Sequence, residues 1–333
     1  MKLKPIREQV IVITGATSGN GLATAQAAVK RGAAVVLAAR NADALAEIAS
    51  EMRRYGGRVA AATADVASSD AVEQIAQVAI DSFGGFDSWV NNAAVGLYGA
   101  LDQIPLEDHR RTFDVNYFGT LHGSLTAARH LRNRGGGAII NVGSILGDRA
   151  IIEQGVYSAT KHAVQALTDT LRMELRAEGA PISVTLIKPG GCGTPYAEHA
   201  RNYMDAPPRI PQPLYHPSII ADAILHACSH PKRTMYIGAG GIASAAIGQL
   251  APRLTDKVME VVGARMQQSP ARPGDPAMRD NLYDPQRDGR VTGTQNLWMR
   301  RHSLLVALQK LPLPIVLGMA ASIKIASAFR TRS

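Results

Sequence analysis

Tyr157 and Lys161 stand four residues apart in the segment Tyr157-Ser158-Ala159-Thr160-Lys161. On a helix, positions i and i+4 share a face, so the phenol and the ammonium group can point into one cavity. A free tyrosine has a pKa of about 10, too high for an efficient base near neutrality. A neighbouring Lys⁺ favours the phenolate, so the pair is expected to lower the phenol's pKa and to move protons at a reacting oxygen. Ser144 supplies a hydroxyl able to hold a carbonyl for hydride attack. Asn116, in Asp114-Val115-Asn116-Tyr117, either reaches the lysine through water or kinks its helix. Tyr-x-x-x-Lys spacing alone is weak, because helices carry such pairs by chance as surface residues.

A second group of residues has the chemistry of a dinucleotide site. Thr14-Gly15-Ala16-Thr17-Ser18-Gly19-Asn20-Gly21 sits between a strand-like run and a helical one. Glycines there permit a tight turn and close backbone approach to a pyrophosphate, whose charge suits the free N–H groups of a helix N-terminus. Thr14, Gly15, Ser18, Gly19, Asn20 and Gly21 are therefore expected at the cofactor, although a plain turn has the same composition. The next strand ends in Ala38-Ala39-Arg40-Asn41. An acid at position 39 would bind an adenosine ribose and repel a 2′-phosphate; Ala39 does neither, and Arg40 can pair with that phosphate. NADP(H) is favoured over NAD(H) on this ground, with NAD(H) left open. Asp65, followed by Val66, either accepts from adenine or caps the next turn.

Six runs read as strands: Val10 to Thr14, Ala34 to Ala38, Val59 to Ala64, Ser88 to Asn91, Ala138 to Val142 and Ser183 to Lys188. Several are apolar throughout, as strands buried on both faces of a parallel sheet are. Helical patterns lie between them near 20–31, 42–55, 70–83, 106–132 and 157–179, and a helix near 217–229 with a strand near 234–237 completes the series. This alternation predicts an α/β doubly wound, Rossmann-type parallel sheet of about seven strands. Residues 1–250 form the expected catalytic domain and 251–333 a C-terminal extension.

The order of motifs carries more weight than any one of them. The glycine loop, Asn91-Asn92-Ala93, Asn116, Ser144, Tyr157, Lys161 and Pro189-Gly190 follow one another along a single α/β pattern. Over roughly residues 8–240 the chain resembles the short-chain dehydrogenase/reductase family in its single-domain form. The resemblance implies a catalytic tetrad of Asn116, Ser144, Tyr157 and Lys161, with Tyr157 as proton donor or acceptor and Lys161 also binding the nicotinamide ribose. It places Asn92 and Ala93 at the cofactor, and Pro189-Gly190-Gly191-Cys192-Gly193-Thr194 beside the nicotinamide, with Thr194 at the carboxamide or phosphates. Three positions depart from the family pattern: Asn20 replaces an aliphatic residue, Ala94 a glycine, and Cys192 a commonly aliphatic position, where a small buried apolar role fits better than a reactive thiol.

Five prolines between 207 and 217 predict an extended segment at the carboxyl edge of the sheet. Residues from Pro195 to His216, including Tyr196, His199, Arg201, Tyr203, Met204, Arg209, Leu214 and Tyr215, are the expected substrate cover, with Leu97, Tyr98, Ile145 and Leu146 opposite. Their character suggests a bulky, mainly apolar carbonyl or alcohol, although an exposed loop has the same composition. An active reductase or dehydrogenase is the leading expectation. A nucleotide-binding regulator or scaffold, or an isomerase, epimerase or dehydratase with bound cofactor, are the alternatives.

Hydrophobic residues make up 46% of the 333 and charged residues 19%, enough for a sizeable core and against wholesale disorder. The formal charge of +9 is concentrated beyond Ala251, where 13 Lys or Arg face 6 Asp or Glu. The main domain is thus near neutral, which argues against a nucleic-acid surface. The tail is expected to be a cap or a contact in a homo-oligomer, a peripheral membrane contact through 303–329, or a flexible extension. Two cysteines with no metal-ligand spacing, and no secretory signal, suit a reducing, cytoplasmic setting.

Overall fold

The computed structural model describes residues 1–269, 280–287, 289–294 and 298–311. The apolar runs become seven strands: β1 (Val10–Thr14), β2 (Ala34–Ala39), β3 (Arg58–Thr63), β4 (Ser88–Asn91), β5 (Gly137–Val142), β6 (Ile182–Pro189) and β7 (Thr234–Ile237). All pair in parallel, in the order β7-β6-β5-β4-β1-β2-β3. Helices α1 (Gly19–Lys30), α2 (Ala42–Arg54), α3 (Ser69–Phe83), α4 (Leu106–Phe113), α5 (Gly119–Asn133), α6 (Gly155–Ala177) and α7 (Pro217–Ser229) connect or flank them. The fold is the doubly wound Rossmann-type sheet that the alternation predicts.

Burial follows the two-residue period of a strand. Ile11, Ile13, Val35 and Leu37 join Leu22 of α1 and Ile220 and Ile224 of α7 in one core cluster. Val10, Val12 and Val36 point the other way, into a second cluster with Ile75 of α3, Leu131 of α5 and Leu171 of α6. Both faces are covered, so β1, β4, β5 and β6 are buried along their whole length. Strand order reverses between β1 and β4, which opens a crevice at their carboxyl ends.

Buried polar side chains fix α6 against the sheet. Trp89 Nε1 donates to Asn91 Oδ1 (2.7 Å), Asn91 Nδ2 to Asn141 Oδ1 (2.9 Å), and Asn141 Nδ2 to Thr168 Oγ1 of α6 (3.0 Å). The helix expected over 106–132 is interrupted: α4 and α5 are joined by a π-turn at Asp114–Phe118. The physical cause is Asn116. Its Oδ1 accepts from Val95 N (2.8 Å), while its Nδ2 donates to Val95 O (3.1 Å) and to Thr160 Oγ1 of α6 (3.1 Å). Of the two roles expected for Asn116, the kink is the one seen, and its amide braces three segments.

The described part of the tail packs onto this body. Helices α8 (Ala239–Leu250) and α9 (Pro252–Val258) follow β7, and α10 (Leu304–Lys310) returns to it, where Gln309 Nε2 donates to Tyr236 O (2.8 Å) and Gln309 Oε1 accepts from Tyr236 N (2.9 Å). Of the stretch 303–329, residues 312–329 lie outside the described residues. Among the described residues no helix is long and apolar enough to cross a membrane.

Replacing Asn116 with Ala would leave the buried Val95 N–H and C=O unpaired, at about 1–3 kcal/mol for each such group. Urea denaturation is expected to show a loss of at least about 2 kcal/mol; an unchanged midpoint would contradict the bracing role.

Candidate active site

The glycine loop closes over the crevice because β1 and β4 are stitched together beneath it. Thr14 Oγ1 accepts from Asn92 N (3.0 Å) and Ala93 N (3.1 Å), and Asn92 Nδ2 donates to Thr14 O (3.0 Å) and Gly15 O (3.2 Å). Gly15 holds φ +63°, and a Cβ there would stand 2.8 Å from Ala93 Cα; one on Gly21 would stand 2.1 Å from Gly15 O. No side chain fits, so the backbone itself faces the cavity. The cavity, about 560 Å³, runs from Arg40 and Asp65 past the loop to Ser144, Tyr157 and Lys161.

Most residues expected at a cofactor line this cavity: Gly15, Ser18, Gly19, Asn20, Arg40, Asp65, Val66, Asn92, Ala93, Pro189, Gly190, Cys192 and Thr194. Thr14 and Gly21 do not line it; they shape the loop from behind. Asn20 Oδ1 is buried in the wall without a hydrogen-bond partner. An orphaned acceptor beside a side-chain-free cradle at the start of α1 fits a dinucleotide, which brings donors and phosphates. Cys192 is buried, its Sγ donates to Gly190 O (3.3 Å), and burial pushes its thiol up to about 12. That is the small buried role, not a reactive thiol.

At the Arg40 end of the cavity, Asp65 does two things. Its Oδ1 accepts from Ala67 N (3.0 Å), the turn-capping contact, and its Oδ2 pairs with Arg111 of α4. Burial works against its charge, but the Ala67 amide and Arg111 overcome it and hold the carboxyl below its usual range. Arg40 donates to three backbone carbonyls of the tail, those of Asn281, Leu282 and Tyr283. These partners stand some 240 residues further along the chain, where no local pattern around Arg40 points to them.

At the other end, Ser144 follows β5 and Tyr157 lies in the first turn of α6, with Lys161 one turn on. Lys161 is 3% exposed, and its Nζ donates to Val142 O (3.0 Å) and sits 5.5 Å from the Tyr157 ring centroid. Burial pushes Lys161 down to about 8. Burial also pushes the Tyr157 phenol above its ordinary value, while a hydrogen bond with Ser144 pulls it partly back. The expectation that Lys161 acidifies the phenol is therefore corrected. Desolvation disfavours the charged form of both groups, and Ser144 is the side chain that favours the phenolate. Asn116 is not at the cavity wall, and both protons of its amide are spent on Val95 and Thr160.

Two further tyrosines complete this end. The Tyr196 ring meets Tyr157 edge-on at 5.3 Å and lies 6.2 Å from Tyr98, with the Tyr196 hydroxyl donating to Gln154 Oε1 (3.3 Å). Tyr98, Ile145, Leu146, Tyr196, His199 and Tyr215 line the cavity as expected, and Gln154, Met259 and Met266 are lining residues that the sequence reading missed. Leu97, Arg201, Tyr203, Met204, Arg209 and Leu214 do not line it. Tyr203 and Arg201 turn instead toward Asp108, and Arg201 also pairs with Asp280. Among the described residues no cluster of His, Cys, Asp or Glu could hold a metal ion.

Comparison with known proteins agrees with this fold. Residues 9–205 match the short chain dehydrogenase family model. An uncharacterized oxidoreductase of Bacillus subtilis, YxnA, is 44% identical over 334 residues, covering 100% of this chain and 94% of its own. An uncharacterized oxidoreductase of Staphylococcus epidermidis is 33% identical over 231 residues, covering 68% of this chain and 94% of its own. Among solved structures, a short chain dehydrogenase/reductase from Burkholderia phymatum in complex with NAD superposes with a TM-score of 0.69 at 26% identity, over 83% of this chain and 99% of that one. L-sorbose reductase from Gluconobacter frateurii, complexed with NADPH and L-sorbose, gives 0.61 at 27% identity, over 71% and 96%. The chain belongs to the short-chain dehydrogenase family, and it is an oxidoreductase of that family.

Lys161 offers a stability test. Its folded pKa lies below its unfolded one, so between about 8 and 10.5 the unfolded chain binds more protons and stability rises with pH. Urea denaturation at pH 7 and pH 9 is expected to show a gain of roughly 1 kcal/mol from this group, absent in Lys161→Met. Equal pH dependence in both proteins would contradict a buried, depressed lysine.

Proposed function

We propose that the protein interconverts an alcohol and a ketone or aldehyde with a nicotinamide dinucleotide, NADP(H) being favoured, and with Tyr157 as the acid/base. The observation that carries this reading is that Ser144, Tyr157 and Lys161 come together at one wall of the dinucleotide-shaped cavity, with the buried Lys161 Nζ 5.5 Å from the Tyr157 ring centroid. When bound, the nicotinamide supplies or takes the hydride. The chain's own residues handle the oxygen. Ser144 holds the carbonyl, and the Tyr157 phenol gives its proton to the developing alkoxide. In the reverse direction the phenolate takes it back. A phenol held above its ordinary pKa keeps its proton through neutral pH, the state that reduction requires. Lys161, pushed toward neutrality, can pass a proton on; Asn116 acts as a positioning residue through Val95 and Thr160.

Arg40 and the lack of an acid at position 39 support NADP(H). A guanidinium has five N–H donors. The tail carbonyls engage Nη1 twice and Nη2 once, which leaves Nε–H and a second Nη2–H for a phosphate. The walls of Tyr98, Tyr196, Ile145, Leu146, Met259 and Met266 support a bulky, mainly apolar substrate.

NADPH consumption across a panel of lipophilic ketones and aldehydes tests the reaction. Tyr157→Phe is expected to lower kcat by about 10²–10⁴ with dinucleotide affinity little changed; turnover equal to that of the native protein would defeat the mechanism. Arg40→Ala is expected to weaken NADPH by about tenfold or more and NADH much less, a charge-assisted hydrogen bond contributing about 1.5–3 kcal/mol. An unchanged preference would overturn the cofactor assignment.

A further inference from the structure

The tail stretch from Asp280 to Gln286 lies against the adenosine end of the cavity, where Asn281, Pro285 and Gln286 line the wall with Arg40, Asn41 and Asp65. It is anchored on both sides. Leu282 is fully buried in the core cluster that holds Val36 and Ile75. The Tyr283 hydroxyl donates to Asp108 Oδ1 (2.8 Å), and Asn281 N donates to His199 O (2.9 Å). Asp280 shapes the turn by accepting from Leu282 N (2.9 Å), and it pairs with Arg201 (2.8 Å). Arg111, the partner of Asp65, also donates its Nε–H to Leu282 O (3.1 Å). A second stretch crosses the pyrophosphate end, where Arg290 O accepts from Gly19 N (2.9 Å) and Gly293 N donates to Gly193 O (3.1 Å).

We propose that this strap is part of the cofactor site, and that Leu282 and Tyr283 are positioning residues that set the preference for the 2′-phosphate by holding the Arg40 guanidinium in place. An arginine at the end of a strand ordinarily sweeps a large volume, and fixing it on a phosphate costs rotamer entropy at every binding event. Three carbonyls held by a buried leucine and a hydrogen-bonded tyrosine remove that cost in advance. They also orient the planar fork, which geometry makes selective for a phosphate over a hydroxyl. The cation directly follows β2, and its aim comes from a segment some 240 residues further along.

The inference rests on the NADP(H) reading, and the two can fail separately. In the full-length protein, Kd values for NADP⁺ and NAD⁺ are measured by calorimetry for the native chain, Leu282→Ala, Leu282→Met and Tyr283→Phe. Leu282→Ala is expected to weaken NADP⁺ about tenfold and NAD⁺ less than about twofold, with Leu282→Met restoring most of the loss. Tyr283→Phe, which removes one hydroxyl and leaves the anchor, is expected to weaken NADP⁺ about two- to threefold. Equal loss for both dinucleotides would make the strap merely structural, and unchanged affinity in both Leu282→Ala and Tyr283→Phe would exclude it; either result overturns the proposal. A native chain that prefers NAD⁺ would remove the NADP(H) reading and the strap's role with it. A native preference for NADP⁺ that survives in the variants would overturn the strap alone.

Discussion

Taking a phenol and an ammonium group out of water moves each toward its neutral form, and the chemical end of the cavity is organised around that penalty. Tyr157 is pushed up and Lys161 is pushed down by the same burial. The two shifts move the pair apart: groups that ordinarily ionise within half a unit of each other become a phenol that holds its proton more tightly and an ammonium that gives its proton up more readily. What burial takes from the phenolate, the Ser144 hydrogen bond partly returns. The core clusters, the amide chain from Trp89 to Thr168 and the Asn116 brace all serve to hold α6 and the end of β5 so that these groups stay in register.

Much of this was legible in the chain because it depends on local pattern. Continuous apolar runs such as Val10–Thr14 encode buried parallel strands, and the positions of Gly15, Ser144, Tyr157 and Lys161 in that alternation place them at the carboxyl edge of the sheet. Most residues expected at a cofactor line the cavity by the same logic, since a glycine loop between β1 and α1 has one side to face. Fewer details were legible where contacts are distant in sequence. Arg40 meets carbonyls beyond residue 280, Tyr203 and Arg201 turn to Asp108, and the direction of the Tyr157 shift depends on how deeply the phenol is buried. Periodicity carries no information about any of these.

The tail illustrates the same limit. Its polar, proline- and glycine-rich composition reads as a loose arm, yet Leu282 is buried as thoroughly as a strand residue and the backbone around it is held by Asp280, His199, Arg40 and Arg111. One well-placed apolar side chain and a set of carbonyls with charged partners are enough to order a segment without regular structure. Composition describes the average of such a stretch, and the anchoring residue is the exception to it.

The central claim is that burial governs the Tyr157 phenol and that Ser144 is the group that opposes it. Carbon-13 NMR of tyrosine labelled at Cζ, with the Tyr157 signal assigned by its loss in Tyr157→Phe, measures this directly in a pH titration of the cofactor-free protein. The signal is expected to keep its phenol position past the pH at which free tyrosine ionises, about 10, and to titrate higher still in Ser144→Ala. A Tyr157 signal that reaches the phenolate position below that pH, or that titrates lower once Ser144 is removed, would contradict it.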